Sequence, residues 1–164
     1  MESSTEQAVL NILQNGGSEV LVFDKNLDMN QVNEIILHPM SLVGTDGGGF
    51  NISVKDRLVH PRCFGTAPKF LRLAVNQNLR LEKEICKLTS GPAKKLGLKK
   101  RGQIKIGNFA DMVLFDPKTI SDKATYEDPY CHSAGIDYVF VNGKAVLEEG
   151  KQTQNLPGYV LRKK

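Results

Sequence analysis

Asp46 and Arg62 are the two residues whose type and position suggest chemistry. Asp46 lies two residues beyond the apolar run 40–44 and is followed by Gly47. If that run is a parallel strand, Asp46 lies near its carboxyl end, where α/β enzymes place their active sites. A carboxylate there can bind a metal ion or accept a proton from metal-activated water, and Gly47 permits close approach of a substrate. An aspartate that only caps a turn explains the same residues.

Arg62 follows Asp46 by 16 residues, within the tripeptide His60-Pro61-Arg62. A planar, always-charged guanidinium suits bidentate binding of a carboxylate. Residue type alone favours a surface arginine or a loop-stabilising ion pair. His60 precedes a proline, so we expect it to order the loop rather than to bind metal. The candidate site residues are therefore Asp46, as catalytic carboxylate and weak metal ligand, with Arg62 and Gly47 for substrate binding.

The first hundred residues predict alternating helix and strand. Ser3 and Glu6 fit a capping box that opens a helix, and residues 19–23 form an apolar run typical of a buried strand. Asp28 caps a second helix that ends before Pro39, and residues 40–44 predict another strand. Strand, helix and strand with short connections indicate a βαβ unit with parallel pairing.

The remainder of the chain predicts helices followed by antiparallel strands. We expect an irregular segment to about Thr66 and then three helical stretches, the last closed by Gly97. Strands are predicted over 102–107, 110–116, 136–141 and 144–148, with Asn142-Gly143 as the turn of a hairpin. The sequence thus predicts two domains, 1–98 and 99–164.

Composition excludes several classes of function. The net charge of +4 over 164 residues is modest, and the lysine and arginine clusters lie at helix ends and the tail, so no nucleic-acid partner is expected. No apolar run approaches the roughly 20 residues of a membrane span. The polar, acidic start does not resemble a secretory signal, so we expect a cytoplasmic protein without a membrane partner.

Four groups of residues carry a resemblance to a known family over nearly the whole chain. Residues 88–98 and 101–116 resemble the C-terminal part of the amidohydrolase superfamily. The other groups resemble the D-aminoacylase (N-acyl-D-amino-acid deacylase) branch, and they are Gly44-Thr45-Asp46-Gly47, His60-Pro61-Arg62-Cys63-Phe64-Gly65-Thr66, and Thr125-Tyr126-Glu127-Asp128-Pro129 with residues 135–143.

This resemblance implies an α/β fold: a C-terminal fragment of a (β/α)8 barrel, about the last two βα units, followed by a small antiparallel β-sandwich portion. It implies that Asp46 takes a proton from a water bound to zinc or another divalent metal, and that Arg62 binds the substrate's α-carboxylate. The implied reaction is deacylation of small N-acyl-D-amino acids.

The resemblance also shows what this chain lacks. Members of that superfamily supply metal ligands from an HxH pair and further histidines, whereas this chain has only three histidines and no HxH. We therefore expect a chain that binds no metal and is inactive in isolation. Its exposed barrel strands predict self-association. Two alternatives stay open: a stand-alone, non-catalytic scaffold or assembly domain, and a fragment of a cyclic amidohydrolase similar to dihydroorotases and hydantoinases.

Overall fold

The computed structural model describes residues 4–17, 20, 22 and 26–162 of the chain. Helices occupy the first part of the described chain and an antiparallel sheet occupies the second. The elements in chain order are α1 (Thr5–Gly16), α2 (Met29–Leu37), α3 (Arg62–Asn76), α4 (Leu81–Leu88), α5 (Ser90–Leu96), β1 (Met112–Phe115), β2 (Ile136–Val141), β3 (Lys144–Glu148) and β4 (Lys151–Gln152). The α/β composition predicted from the sequence is confirmed at this level.

The two N-terminal helices begin at side-chain caps. Asp28 caps α2 as predicted, because its carboxylate accepts a hydrogen bond from the backbone N–H of Asn30 at 2.8 Å. The cap of α1 is one residue later than predicted. Ser4, rather than Ser3, accepts from the backbone N–H of Gln7, and Ser3 lies outside the described residues.

The prediction of a strand over residues 40–44 is wrong, and so is the parallel βαβ unit built on it. Residues 41–44 have no regular secondary structure, and all strand pairs among the described residues are antiparallel. A parallel strand needs a neighbouring strand for its backbone groups. Here the Val43 N–H donates instead to the carbonyl of Lys87 on α4, at 3.1 Å. The predicted strand 19–23 lies mostly outside the described residues.

Helix α3 forms the centre of the core together with residues 118–134. Phe70 on α3 and Ile120 are the largest fully buried side chains in the described chain. The Arg72 guanidinium donates to the carbonyls of Ile120 and Lys118, both at 2.7 Å. These bonds fix the segment that follows β1 against the helix.

A proline inside α3 explains one further contact between these segments. Pro68 has no N–H, so the carbonyl of Phe64, four residues earlier, loses its partner in the helix. The Ser133 hydroxyl donates to that carbonyl at 3.2 Å. The proline therefore leaves the Phe64 carbonyl free to accept a hydrogen bond from the 118–134 segment.

The sheet has the strand order β1-β2-β3-β4, with each neighbouring pair antiparallel. The predicted Asn142-Gly143 hairpin turn is confirmed, and both residues have positive φ (49° and 80°). That conformation is the one that a two-residue type I′ turn requires.

The prediction of a strand over residues 102–107 is wrong. The segment forms turns, and Ile104 and Ile106 are exposed. Gly102 and Gly107 have φ of 79° and 86°, which is a left-handed conformation incompatible with a regular strand. Although the two isoleucines alternate as in a strand, no neighbouring strand pairs with them among the described residues.

Helices α1 and α2 have no buried residues. Val9, Leu10, Ile12 and Leu13 of α1 are each at least half exposed. The described part of the chain contains no helix long and apolar enough to cross a membrane.

Candidate active site

The loop that carries Asp46 lies against the start of α3. A Cβ atom added to Gly47 would lie 2.9 Å from the Cα of Cys63, so only glycine allows this approach without a shift. Asp46 itself has a positive φ of 45°, a conformation that aspartate tolerates better than most residues. The glycine therefore serves loop-to-helix packing next to the candidate site.

This packing brings together the two residues predicted to carry the chemistry. The Arg62 Nη2 atom lies 3.3 Å from Asp46 Oδ2, and their side chains are 44% and 86% exposed. An ion pair this exposed contributes about 0–1 kcal/mol to stability. A competing carboxylate can therefore displace Asp46 at little cost.

His60 holds the first turn of α3, on which Arg62 lies. Pro61 occupies the N-cap and offers no side-chain acceptor. The His60 imidazole takes this role, because its Nδ1 accepts a hydrogen bond from the Arg62 backbone N–H at 3.0 Å. The His60 carbonyl accepts from the Cys63 N–H, also at 3.0 Å. The structure thus shows His60 ordering the loop, as the sequence suggested, and α3 starts at Arg62 rather than near Thr66.

Tyr126 contacts the other side of the same imidazole. Its hydroxyl lies 3.1 Å from His60 Nε2, and the two rings meet edge to face with centroids 5.1 Å apart. Partial burial lowers the pKa of His60, and the nearby charges of Arg62 and Lys69 lower it further, against the opposing influence of Asp46. The imidazole is therefore neutral near neutral pH.

Arg62 and His60 border a groove of about 600 Å³. Its lining includes Val32 and Ile36 of α2, and also Tyr126. The lining combines apolar residues with several charged ones, among them Lys69, Arg72 and Asp122, and a concave surface of this kind can bind a small molecule.

Sequence reasoning did not assign a role to Tyr126. The residue lies within the motif Thr125-Tyr126-Glu127-Asp128-Pro129, which was singled out only as a family resemblance. Its partner His60 is 66 residues away, and no local pattern indicates a contact over that separation.

The described residues do not fit a catalytic zinc site. No group of three or more histidine, cysteine, aspartate or glutamate side chains in that part of the chain could hold a metal ion. A catalytic zinc ion is usually held by three protein ligands. Asp46 offers one exposed carboxylate, and its nearest charged neighbour is the cation Arg62.

Comparison with known proteins identifies the family of the chain. The model of an amidohydrolase family matches residues 20–147. The chain belongs to the amidohydrolase family. Among curated proteins of Alcaligenes xylosoxydans xylosoxydans, it is 37% identical to an N-acyl-D-glutamate deacylase over 139 residues and 40% identical to an N-acyl-D-aspartate deacylase over 137 residues. These alignments cover 84% and 82% of the chain.

Solved structures show the same relationship. A crystal structure of D-aminoacylase is 38% identical, with a TM-score of 0.70 over 79% of the chain. An N-acyl-D-glutamate deacylase of Bordetella bronchiseptica, in complex with zinc and a phosphonate inhibitor, is 35% identical, with a TM-score of 0.65 over 80% of the chain. The resemblance to the D-aminoacylase branch is therefore confirmed.

The chain spans about a quarter of the length of these relatives, namely 27% and 26% of the two curated deacylases and 27% and 28% of the two solved structures.

Proposed function

We propose that this chain supplies a carboxylate base and a substrate-carboxylate clamp to a metal-dependent hydrolase that deacylates N-acyl-D-amino acids. The observation that carries the proposal is the ion pair of Asp46 with Arg62 at 3.3 Å; Arg62 also lines the neighbouring groove. The similarity to N-acyl-D-glutamate and N-acyl-D-aspartate deacylases supports this substrate class.

In this proposal Arg62 binds the α-carboxylate of the substrate. The guanidinium already faces a carboxylate, that of Asp46, and its exposure leaves room for a ligand. A bidentate pair with a substrate carboxylate gives two parallel, charge-assisted hydrogen bonds. Binding of that carboxylate releases Asp46 from the ion pair, and the freed carboxylate can then accept a proton from the attacking water. Gly47 lets the Asp46 loop pack against the start of α3, and in this proposal its backbone also lies beside the bound substrate.

We also propose that the chain alone neither holds the catalytic metal nor turns over substrate, because Asp46 is not joined by further ligands in the described residues. In this view a part of the enzyme other than the described residues holds the metal, which is zinc in the complex of the Bordetella relative. The barrel-fragment fold and the division into domains 1–98 and 99–164 stay part of the proposal, and the cytoplasmic location stays a prediction from the sequence.

A second candidate, a cyclic amidohydrolase, is favoured by one observation. A dihydroorotase of Carboxydothermus hydrogenoformans is 43% identical over 49 residues, which is 30% of this chain. This match is much shorter than those of the deacylases. A hydantoin ring carries no free carboxylate, so a substrate of that kind would make no use of Arg62.

The proposal is tested with a chimera in which residues 20–147 of this chain replace the aligned part of the Alcaligenes N-acyl-D-glutamate deacylase. We expect zinc-dependent release of the acyl group from N-acetyl-D-glutamate and no hydrolysis of dihydroorotate or a hydantoin. A folded chimera that binds zinc but hydrolyses only the cyclic substrates would overturn the deacylase function.

A further inference from the structure

Two residues that are far apart in the sequence, His60 and Tyr126, contact each other next to Arg62. His60 lies two residues before Arg62, and Tyr126 lies on the 125–130 segment. Tyr126 and His60 are joined by a 3.1 Å contact between Oη and Nε2.

The hydrogen bonds fix which imidazole nitrogen carries the proton. The Arg62 backbone N–H can only donate, so His60 Nδ1 must accept through its lone pair. A neutral imidazole then carries its proton on Nε2, which donates to the Tyr126 hydroxyl oxygen. The imidazole thus connects Tyr126 directly to the backbone of Arg62.

The segment that carries Tyr126 is itself firmly held. The Thr125 N–H donates to the Asp128 carbonyl at 3.1 Å, and the Asp128 N–H donates to the Thr125 hydroxyl at 3.0 Å. The buried Tyr130 donates its hydroxyl proton to the carbonyl of Arg57, just before His60 in the chain. Tyr126 therefore lies in a hydrogen-bonded turn, and the Tyr130 hydroxyl connects this turn to the loop that precedes α3.

We infer that Tyr126 is a positioning residue: through the imidazole of His60 it fixes the first turn of α3 and with it the direction of the Arg62 guanidinium. This inference rests on the proposed function, in which Arg62 binds a substrate carboxylate. Without the Tyr126 hydroxyl, the imidazole loses the acceptor for its Nε2–H and can rotate away from the Arg62 N–H. Arg62 would then stay present but be less well aligned for two parallel hydrogen bonds.

The test uses Tyr126→Phe, with Tyr138→Phe as the control, because that variant removes the hydroxyl of a tyrosine on β2, outside the residues that line the groove. The chain has three histidines, so nitrogen-15 NMR of labelled imidazoles resolves His60 after assignment with His60→Gln. We expect the unaltered chain and Tyr138→Phe to show His60 protonated on Nε2 with Nδ1 accepting a hydrogen bond. In Tyr126→Phe we expect this protonation pattern to be lost. The chemical shifts of the Arg62 backbone and guanidinium N–H groups should change as well.

Titration with N-acetyl-D-glutamate, followed at the Arg62 signals, measures the consequence for binding. We expect the dissociation constant to rise roughly fivefold in Tyr126→Phe, the equivalent of about one net hydrogen bond, and to stay unchanged in Tyr138→Phe. Unchanged His60 and Arg62 spectra in Tyr126→Phe would overturn the positioning role. Binding that is absent in the unaltered chain, or undiminished in Arg62→Ala, would instead overturn the carboxylate clamp, whatever the imidazole spectra show.

Discussion

At the scale of single residues, two neighbours define the role of Arg62: the Asp46 carboxylate, 3.3 Å from its guanidinium, and the His60 imidazole, which accepts a hydrogen bond from its backbone N–H. Residue chemistry and family resemblance together predict Asp46 and Arg62 as site residues. Nothing in the local sequence predicted the cap of α3, because a histidine before Pro61 is not among the usual capping residues. That contact depends on the fold, since the Nε2 partner of the imidazole is 66 residues away.

The folding stability of the chain is expected to depend on pH through His60. The pKa of His60 is lowered in the folded chain from its ordinary value of 6.5, so the unfolded chain binds more protons in the window below 6.5. The contribution of His60 to stability is therefore complete above pH 6.5 and is lost as the pH falls toward the lower folded pKa. Urea unfolding at several pH values should show this loss in the unaltered chain and a flatter profile in His60→Gln. An equally steep profile in that variant would show that other groups cause the pH dependence.

At the scale of elements, the sequence patterns predicted the helices and the hairpin correctly, but two isolated apolar runs were wrongly predicted as strands. Asp28, Gly97 and Asn142-Gly143 mark local boundaries, because capping and turn geometry depend on adjacent residues. The runs 40–44 and 102–107 were predicted as strands and form none. A strand depends on a partner that its own sequence does not specify.

Segment 101–116 carried much of the family resemblance, and the structure explains why its residues occur together. The Arg101 guanidinium is hydrogen-bonded to Asp111, and it donates to Asn142 Oδ1 and the Tyr159 hydroxyl, each at 2.7 Å. It also stacks on Phe109, with the guanidinium carbon 4.2 Å from the ring centre. This cluster joins the hairpin turn to the C-terminal tail.

We predict that Arg101→Lys destabilises the chain by about 1–3 kcal/mol. A lysine cannot donate to three side chains in one plane and stacks poorly on an aromatic ring. Urea unfolding measures the effect, and Arg80→Lys, at the N-cap of α4 where the side chain makes no capping bond, is the control. Equal stability of the two variants would show that the Arg101 cluster contributes little.

At the scale of the whole molecule, the buried core and the exposed apolar side chains of α1 belong to different parts of the chain. Burial concentrates where α3 packs against residues 118–134, whereas α1 and α2 have no buried residue. Helices of 12 and 9 residues are marginal in water without tertiary packing. The chain also spans only about a quarter of the length of its relatives.

We predict that the purified chain self-associates through the apolar face of α1. Sedimentation velocity should show the apparent mass rising with protein concentration, because Leu10 and Leu13 are about half exposed and gain from burial. The double variant Leu10→Lys and Leu13→Lys should stay monomeric, while Gln7→Lys on the same helix should not differ from the unaltered chain. A monomer at every concentration would contradict the prediction.

In the proposed deacylation Asp46 and Arg62 have different roles: Asp46 accepts a proton and Arg62 binds the substrate. In the chimera that contains residues 20–147, kcat and KM for N-acetyl-D-glutamate measure this directly. We predict that Asp46→Asn lowers kcat by at least about a hundredfold with little change in KM, as expected for loss of a general base, whereas Asp137→Asn changes neither. Arg62→Ala should mainly raise KM. A value of kcat within about threefold of the unaltered chimera in Asp46→Asn, well short of the loss that general-base catalysis implies, would contradict the claim.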